Sequence, residues 1–245
     1  MVVSCCGGAL ARPALLQECY RQWMGPSKLF ADKLVVLYCL FLMKVAGGLT
    51  MYVPKHFAEQ RLPALFEMIE QHPLGALVRV GDDGLDADHI PFELAPPTPE
   101  APFGVLRAHV ARANPLWNSD GAPVLVLFQG GSTYVTPNLY DKEAAGGRVV
   151  PTWNYLVVHA RGRLRAIQNP AWILAQMARL TDRHEGPYGW AVEDAPAGYI
   201  DELVAATVGL EIVIEGIEGK WKASQNRSDG DRARVERETG LSAPG

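Results

Sequence analysis

Beyond Cys39 this chain of 245 residues has no cysteine: Cys5, Cys6, Cys19 and Cys39 all fall within its first fifty residues. A disulfide framework, a cysteine-rich metal site and a thiol nucleophile are therefore excluded from the rest of the chain, and a reducing, cytoplasmic compartment is the expectation. Long apolar runs are also missing. Leu34 to Met43 gives ten apolar residues bounded by Lys33 and Lys44, about half of what a bilayer span requires. A signal peptide is a poor fit, because the run starts late and Lys44 stands on its wrong side. No Gly-x-Gly-x-x-Gly follows a strand, and neither a phosphate-binding Gly-x-x-x-x-Gly-Lys-Ser/Thr nor a Gly-x-Ser-x-Gly elbow occurs, which argues against a dinucleotide fold, a phosphate loop and a serine hydrolase. His184-Glu185 lacks the second histidine of a zinc-protease helix and reads as a cation at a helix end.

Excess positive charge is lacking too. The net charge is -4, and residues 51–245 carry 18 Lys/Arg against 25 Asp/Glu, a poor electrostatic partner for nucleic acid. No helix-turn-helix pattern or basic recognition helix is present. The first fifty residues differ, with five Lys/Arg against Glu18 and Asp32. Met51-Tyr52-Val53-Pro54 opens directly into well-patterned sequence, so residues 1–50 are expected to be an extension upstream of a natural start at Met51. Residues 51–245 then form the domain.

Hydrophobic residues make up 48% of the chain, enough for a substantial core. Leu62, Leu65, Phe66 and Ile69 recur at helical spacing before Pro73 and predict an amphipathic helix over 58–71. Strands are predicted at 74–80, 85–94, 104–110 and 124–129, separated by Gly81-Asp82-Asp83-Gly84, a proline-rich loop and residues 114–123. Gly130-Gly131 and Gly146-Gly147 read as turns. From Val158 to Ala166 the residues alternate, with His159, Arg161, Arg163 and Arg165 on one face, as in a strand wet on one side. Asn169-Pro170 caps a helix running to His184, Pro196 opens another, and Leu210, Ile212 and Ile214 alternate as a last strand. The polar tail after Ser228 is read as a short frayed helix. Strands at hairpin spacing with peripheral helices predict an α+β, mainly β fold, a closed or split antiparallel barrel rather than a doubly wound parallel sheet.

Two stretches carry binding chemistry. Glu218-Gly219-Lys220-Trp221-Lys222-Ala223-Ser224-Gln225-Asn226-Arg227 gathers cations, a hydroxyl, amides and an indole, and Val150-Pro151-Thr152-Trp153-Asn154-Tyr155 repeats the Trp, Asn and Tyr. Fixed cations and donors suit a phosphate, and an aromatic face with amides suits a ring with polar edges. Either stretch also suits a surface turn holding a structural Trp. In Leu106-Arg107-Ala108-His109-Val110-Ala111-Arg112, strand alternation puts Arg107 and His109 on one face with Arg112 at the end, a pair of guanidinium groups for a phosphate or else a solvated strand edge. His89 reads as hydrogen-bonded structure.

Met51-Tyr52-Val53-Pro54-Lys55-His56-Phe57, Asp88-His89-Ile90-Pro91, His109-Val110-Ala111-Arg112-Ala113-Asn114-Pro115, Val150 to Tyr155, Leu180-Thr181-Asp182-Arg183-His184-Glu185 and Glu218 to Asn226 together resemble the PaiB family of FMN-binding negative transcriptional regulators. The resemblance spans 51–240 and none of 1–50. It implies a flavin-binding split barrel similar to pyridoxamine-phosphate oxidases and flavin reductases, forming a homodimer with FMN between subunits. By motif it implies Arg107, His109 and Arg112 near the phosphate, with Trp153, Asn154, Lys220, Lys222, Ser224, Gln225 and Asn226 along the ring and ribityl chain. One departure is visible. Gly131-Ser132-Thr133-Tyr134-Val135-Thr136-Pro137-Asn138-Leu139-Tyr140 stands where the family usually reads Gly-Pro-x-x-Tyr-Ile-Ser-Pro-x-Trp-Tyr, so one stacking Trp is lost. The expected role is transcriptional repression through a redox or small-molecule signal, acting on DNA or on a regulatory protein partner. The alternatives are a flavin-dependent oxidoreductase and a haem-binding barrel with His89 or His109 as axial ligand.

Overall fold

The computed structural model describes residues 51–243 apart from Asp82; the first fifty residues, and with them the expectation of a start at Met51, lie outside the described residues. The strands are β1 (Ala58–Glu59), β2 (Leu74–Gly81), β3 (Gly84–Pro91), β4 (Glu93–Ala95), β5 (Val105–Ala111), β6 (Pro123–Val135), β7 (Thr152–Ile167) and β8 (Thr207–Lys222). The helices are α1 (Leu62–Gln71), α2 (Pro170–Glu185), α3 (Ala197–Ala205) and α4 (Asp229–Thr239). Every pairing is antiparallel, in the order β3-β2-β6-β7-β8-β5-β4, with β1 added to β8.

Closure follows from chain connectivity. β3 and β4 lie at opposite ends of that order, yet only Phe92 separates them in sequence. The sheet must curl until its two edges meet at that residue, and Phe92 is buried there, edge-to-face with Phe128. Across the seam, the Asn114 amide donates to Asp88 Oδ1 at 2.8 Å. The fold is an antiparallel split β-barrel with peripheral helices. Its interior is filled by Leu77, Leu106, Val126, Val158, Leu164 and Leu210 with their neighbours, and α1 contributes Leu65 and Ile69.

Two bulges decide which side chains face inward. In β8 the inward positions are Leu210, Ile212 and Ile214, all even, and then Gly219 and Trp221, both odd. The parity changes because Arg161 pairs with Gly216 while Gly162 pairs with Ile214, leaving Glu215 as an extra residue. One inserted residue flips every later side chain to the other face. Trp221 thereby enters the core and Lys220 and Lys222 face outward. In β6 a second shift between Gln129 and Ser132 changes the inward set from Val124, Val126 and Phe128 to Val135.

Several expected boundaries are corrected. The first helix begins at Leu62, four residues later than expected, because Ala58 and Glu59 pair with Lys220 and Gly219. The strand predicted at 85–94 is two strands parted at the seam. Gly130-Gly131 is not a turn but the bulge inside β6, whereas Gly146 and Gly147 hold φ of +56° and +74° in a turn. β7 and β8 are 16 residues each, longer than predicted at 158–166 and at 210–214. The tail helix α4 is defined at both ends: the Ser228 hydroxyl accepts from Asp231 N at 3.2 Å, and Gly240 closes it at φ +70°. Asn169 caps α2 as expected, accepting from Trp172 N at 3.1 Å. No helix among the described residues is long and apolar enough to cross a membrane.

Candidate functional site

The outward face at the far end of β7 and β8 is set by register. Trp153 pairs with Tyr134, Tyr155 with Lys222, Val157 with Lys220, and His159 with Glu218. Because alternate residues share a face, Trp153, Tyr155 and His159 line up with Lys220 and Lys222. Trp153 is 57% exposed and Tyr134 51%, and their rings meet edge-to-face at 6.2 Å. Such exposure of two large rings beside cations leaves an aromatic face free to stack.

Each cation here is held by aromatics or main chain. Lys220 Nζ donates to the Tyr52 carbonyl at 3.0 Å and sits 5.7 Å and 5.3 Å from the Tyr52 and Tyr155 rings. Lys222 Nζ donates to Thr152 Oγ1 at 2.6 Å and to the Trp153 carbonyl, and lies 6.0 Å from the Phe57 ring. Arg227 lies 4.4 Å over the Tyr140 ring. Among the described residues, none of the three pairs with a carboxylate. Burial lowers the Lys222 pKa below its ordinary value, and repulsion from Lys220 and Arg227 lowers it further. A partly desolvated ammonium with no carboxylate is a site prepared for an anion.

Beneath this face the strand turns inward. Asn154 is buried and its Nδ2 donates to Ser224 Oγ at 2.9 Å, while Asn154 Oδ1 has no partner among the described residues. Ser224 has φ +64°, a left-handed conformation that starts the turn after β8. Gln225 is consumed by that turn. Its Oε1 accepts from Ala223 N at 2.7 Å and its Nε2 donates to the Trp221 carbonyl at 2.5 Å. Asn226 is exposed. A groove of about 240 Å³ flanks the turn, lined by Ala223, Gln225, Arg232, Glu236 and the tail residues Leu241, Ser242 and Ala243.

Arg107, His109 and Arg112 lie at the other end of the barrel. Arg107 faces Glu211 in register and pairs with it at 3.2 Å, and His109 sits opposite Gly209. Nine residues of one strand separate Glu211 from Lys220, about 30 Å at the usual rise. A single chain does not bring the two groups together. Arg112 is engaged at all three nitrogens, donating to the Ala205 carbonyl at 2.9 Å, Gln168 Oε1 at 3.0 Å and the Thr207 carbonyl at 3.0 Å. Its own carbonyl accepts from Trp117 Nε1 at 2.9 Å, and Asn114 caps Leu116 N at 2.8 Å. The Arg-x-Asn-Pro-x-Trp run thus fastens the end of β5 to α3 and β8. His109 Nδ1 lies 2.7 Å from Oε1 of Gln176, a fully buried side chain whose Nε2 has no partner among the described residues. His89 is exposed on β3.

Sequence reasoning missed Tyr52, Phe57, Tyr134 and Gln176. Gln176 had a visible signal, a polar residue three positions after Ile173 on the inward face of α2. The aromatics had none, since only register brings them beside the lysines. The missing family Trp is replaced by Leu139 before Tyr140, and Leu139 packs with Val135, Tyr140 and Val235 of α4. That position belongs to a satellite core, away from the exposed Trp153. Among the described residues, no group of three His, Cys, Asp or Glu side chains is placed to hold a metal ion.

Architecture and site together define a split-barrel protein with a cationic, aromatic face at one end. Residues 51–216 match the family FMN_bind_2, described as "Putative FMN-binding domain", and the chain belongs to that family. An uncharacterized Emericella nidulans protein, AN0679, is 34% identical over 221 residues, covering 74% of this chain and 87% of its own. The protease synthase and sporulation protein PAI 2 of Bacillus subtilis is 27% identical over 190 residues, covering 76% and 87%. Among solved structures, the flavocytochrome Anf3 from Azotobacter vinelandii superposes with a TM-score of 0.55 at 14% identity, over 74% of this chain and 78% of that one. The FAD and heme binding protein from Mycobacterium smegmatis gives 0.52 at 19%, over 72% and 78%.

Proposed function

We propose that the chain is an FMN-binding regulator of transcription, a repressor of the PaiB type, acting in the cytoplasm as a homodimer with flavin between its two copies. The observation that carries this reading is Lys222, a partly desolvated ammonium that pairs with no carboxylate among the described residues and is bonded to the main chain of Trp153, whose ring is exposed. The residues present fit FMN. Lys220 and Lys222 would meet its phosphate, Trp153 and Tyr134 its ring, and Asn154, Ser224 and Asn226 its hydroxyls or ring edge. The unpartnered Asn154 Oδ1 is an acceptor of the kind a bound hydroxyl or ring N–H satisfies. Gln225 supports the turn. Arg107 and His109 reach this face only from a second copy, and Arg112 holds their strand in place.

When bound, FMN supplies electron transfer, and the protein supplies charge, orientation and exclusion of water. Direct reading of DNA gains no support from α4, whose Arg232, Arg234 and Arg237 stand beside Asp229, Asp231 and Glu238. Regulation through a small-molecule signal or a protein partner suits this charge pattern better. One observation favours haem as a second reading. His109 Nδ1 is tied to buried Gln176, the arrangement that leaves Nε2 for a metal, and both structural neighbours above carry haem or a cytochrome in their names.

An absorption spectrum of the purified chain with and without added FMN separates these. Flavin bands with near-stoichiometric uptake support the first reading, a Soret band supports the second, and a colourless chain that ignores FMN defeats the flavin assignment. NAD(P)H-dependent flavin reduction, measured beside a salt-controlled DNA titration, separates a regulator from an oxidoreductase. Turnover without specific DNA or partner binding would remove the repressor role.

A further inference from the structure

The segment from Glu185 through α3 is unusual for a surface connector. It has three exposed rings, Tyr188 at 100%, Tyr199 at 53% and Trp190 at 49%. It also has five carboxylates and no Lys or Arg from 185 to 206. Glu185 and Asp194 are used locally, accepting from the backbone N–H groups of Trp190 and Ala191. Glu193, Asp201 and Glu202 are exposed, and among the described residues none pairs with a Lys or Arg. Much of the barrel behaves differently, since its charges are matched as Arg79–Asp86, Arg107–Glu211, Arg161–Glu218 and Arg179–Glu93.

The Lys222 end presents the opposite pattern. Among the described residues, Lys55, Lys220 and Arg227 pair with no carboxylate, and Tyr52, Tyr134 and Trp153 are exposed on the same end. Aromatic rings ringed by charges of one sign are the composition of an interface that excludes water at its centre and selects its partner at its rim. One molecule cannot join the two faces. α3 feeds directly into Thr207, the first residue of β8, and Lys220 stands thirteen residues further along the same strand, about 40 Å away at the usual rise.

We propose that the acidic aromatic connector of one copy docks on the cationic aromatic end of a second copy, making two equivalent contacts about a twofold axis. In such a pair each connector meets the other copy's Lys222 face. The ring-binding surface is then completed by aromatic residues of the partner's connector, and the strand bearing Arg107 and His109, which lies on the same end as α3, is carried toward that face. The inference rests on the homodimer of the proposed function and names the surfaces that build it.

Charge exchange provides the test. Variant one carries Glu193→Lys, Asp201→Lys and Glu202→Lys; variant two carries Lys55→Glu and Lys220→Glu. All substituted side chains are exposed or half-exposed, and circular dichroism with thermal melts confirms that each variant folds. By sedimentation velocity at 0.1 M salt, each variant alone should dimerise on the order of 100-fold more weakly than the native chain, because both contacts now oppose like charges. Their equimolar mixture should recover a heterodimer of native strength, since opposite charges meet at both contacts, reversed at one and native at the other. Native-strength dimers of variant one alone, or a mixture that stays monomeric, would overturn the proposal, as would a native chain that is monomeric at tens of micromolar. FMN titrated spectroscopically into the same samples keeps the two readings apart. A native dimer that takes up no flavin defeats the flavin assignment and leaves the docking faces standing.

Discussion

Lys222 concentrates the chemistry of the site in one side chain. Its ammonium is anchored by Thr152 and the Trp153 carbonyl, crowded by Lys220 and Arg227, and among the described residues pairs with no carboxylate. Replacing it by alanine is expected to weaken FMN binding by about 1–3 kcal/mol, the range for a charge-assisted contact, in a fluorescence-quenching titration. An Arg112→Ala variant is expected instead to lower the melting temperature, because its guanidinium holds Ala205, Gln168 and Thr207 of its own chain. The pH dependence of binding has a defined sign. The lowered pKa means that the cation is lost at a pH below the usual lysine range, so FMN affinity should fall as pH rises toward 10.5, and Lys222→Arg should abolish that fall. His159 gives a second, independent sign. Burial, then Arg161, lowers its pKa below 6.5. The unfolded chain therefore takes up a proton first as the solution is acidified, and stability declines between 6.5 and the lowered folded value. A His159→Gln variant should melt with a flatter dependence over that window. At this scale the sequence was informative about the lysines, whose type announces an anion, and uninformative about Arg112, whose type is the same but whose partners are three main-chain and amide oxygens of its own fold.

Elements were legible where periodicity ran unbroken and obscure where a single residue interrupted it. α2 announced itself through Asn169-Pro170, and Asn169→Ala should cost about 0.5–2 kcal/mol in a denaturant melt. β8 was read only to Ile214, because Glu215 bulges and the inward positions change from even to odd. Alternation counted along the sequence loses its phase at such a point. The bulge nevertheless decides the function of the face, since it sends Trp221 inward and the two lysines out. Gly219 marks the close approach of α1 to this half of the strand. A Cβ there would stand 2.4 Å from Leu65 Cδ2 and 2.8 Å from the Trp221 ring, so Gly219→Ala should destabilise by about 1–3 kcal/mol, the usual cost of overpacking.

For the whole molecule, the barrel class followed from strand spacing and the missing dinucleotide motifs, while its closure did not, because nothing local says that Phe92 joins opposite edges of one sheet. The same holds for the site. The two stretches rich in binding chemistry were visible as composition and β7 and β8 set them side by side, yet the strand bearing Arg107 and His109 lies at the opposite end of the barrel, and a second copy would be needed to bring it to the same place. Membership of a family described as "Putative FMN-binding domain" agrees with a flavin protein. The flavin assignment turns on whether FMN is held at the Lys222 face. Equilibrium dialysis of FMN against the full chain and against Lys222→Ala tests it most directly. The native protein should take up one FMN per chain, and the variant should lose affinity about ten- to a hundredfold. Equal uptake by both proteins, or none by the native chain, would contradict it.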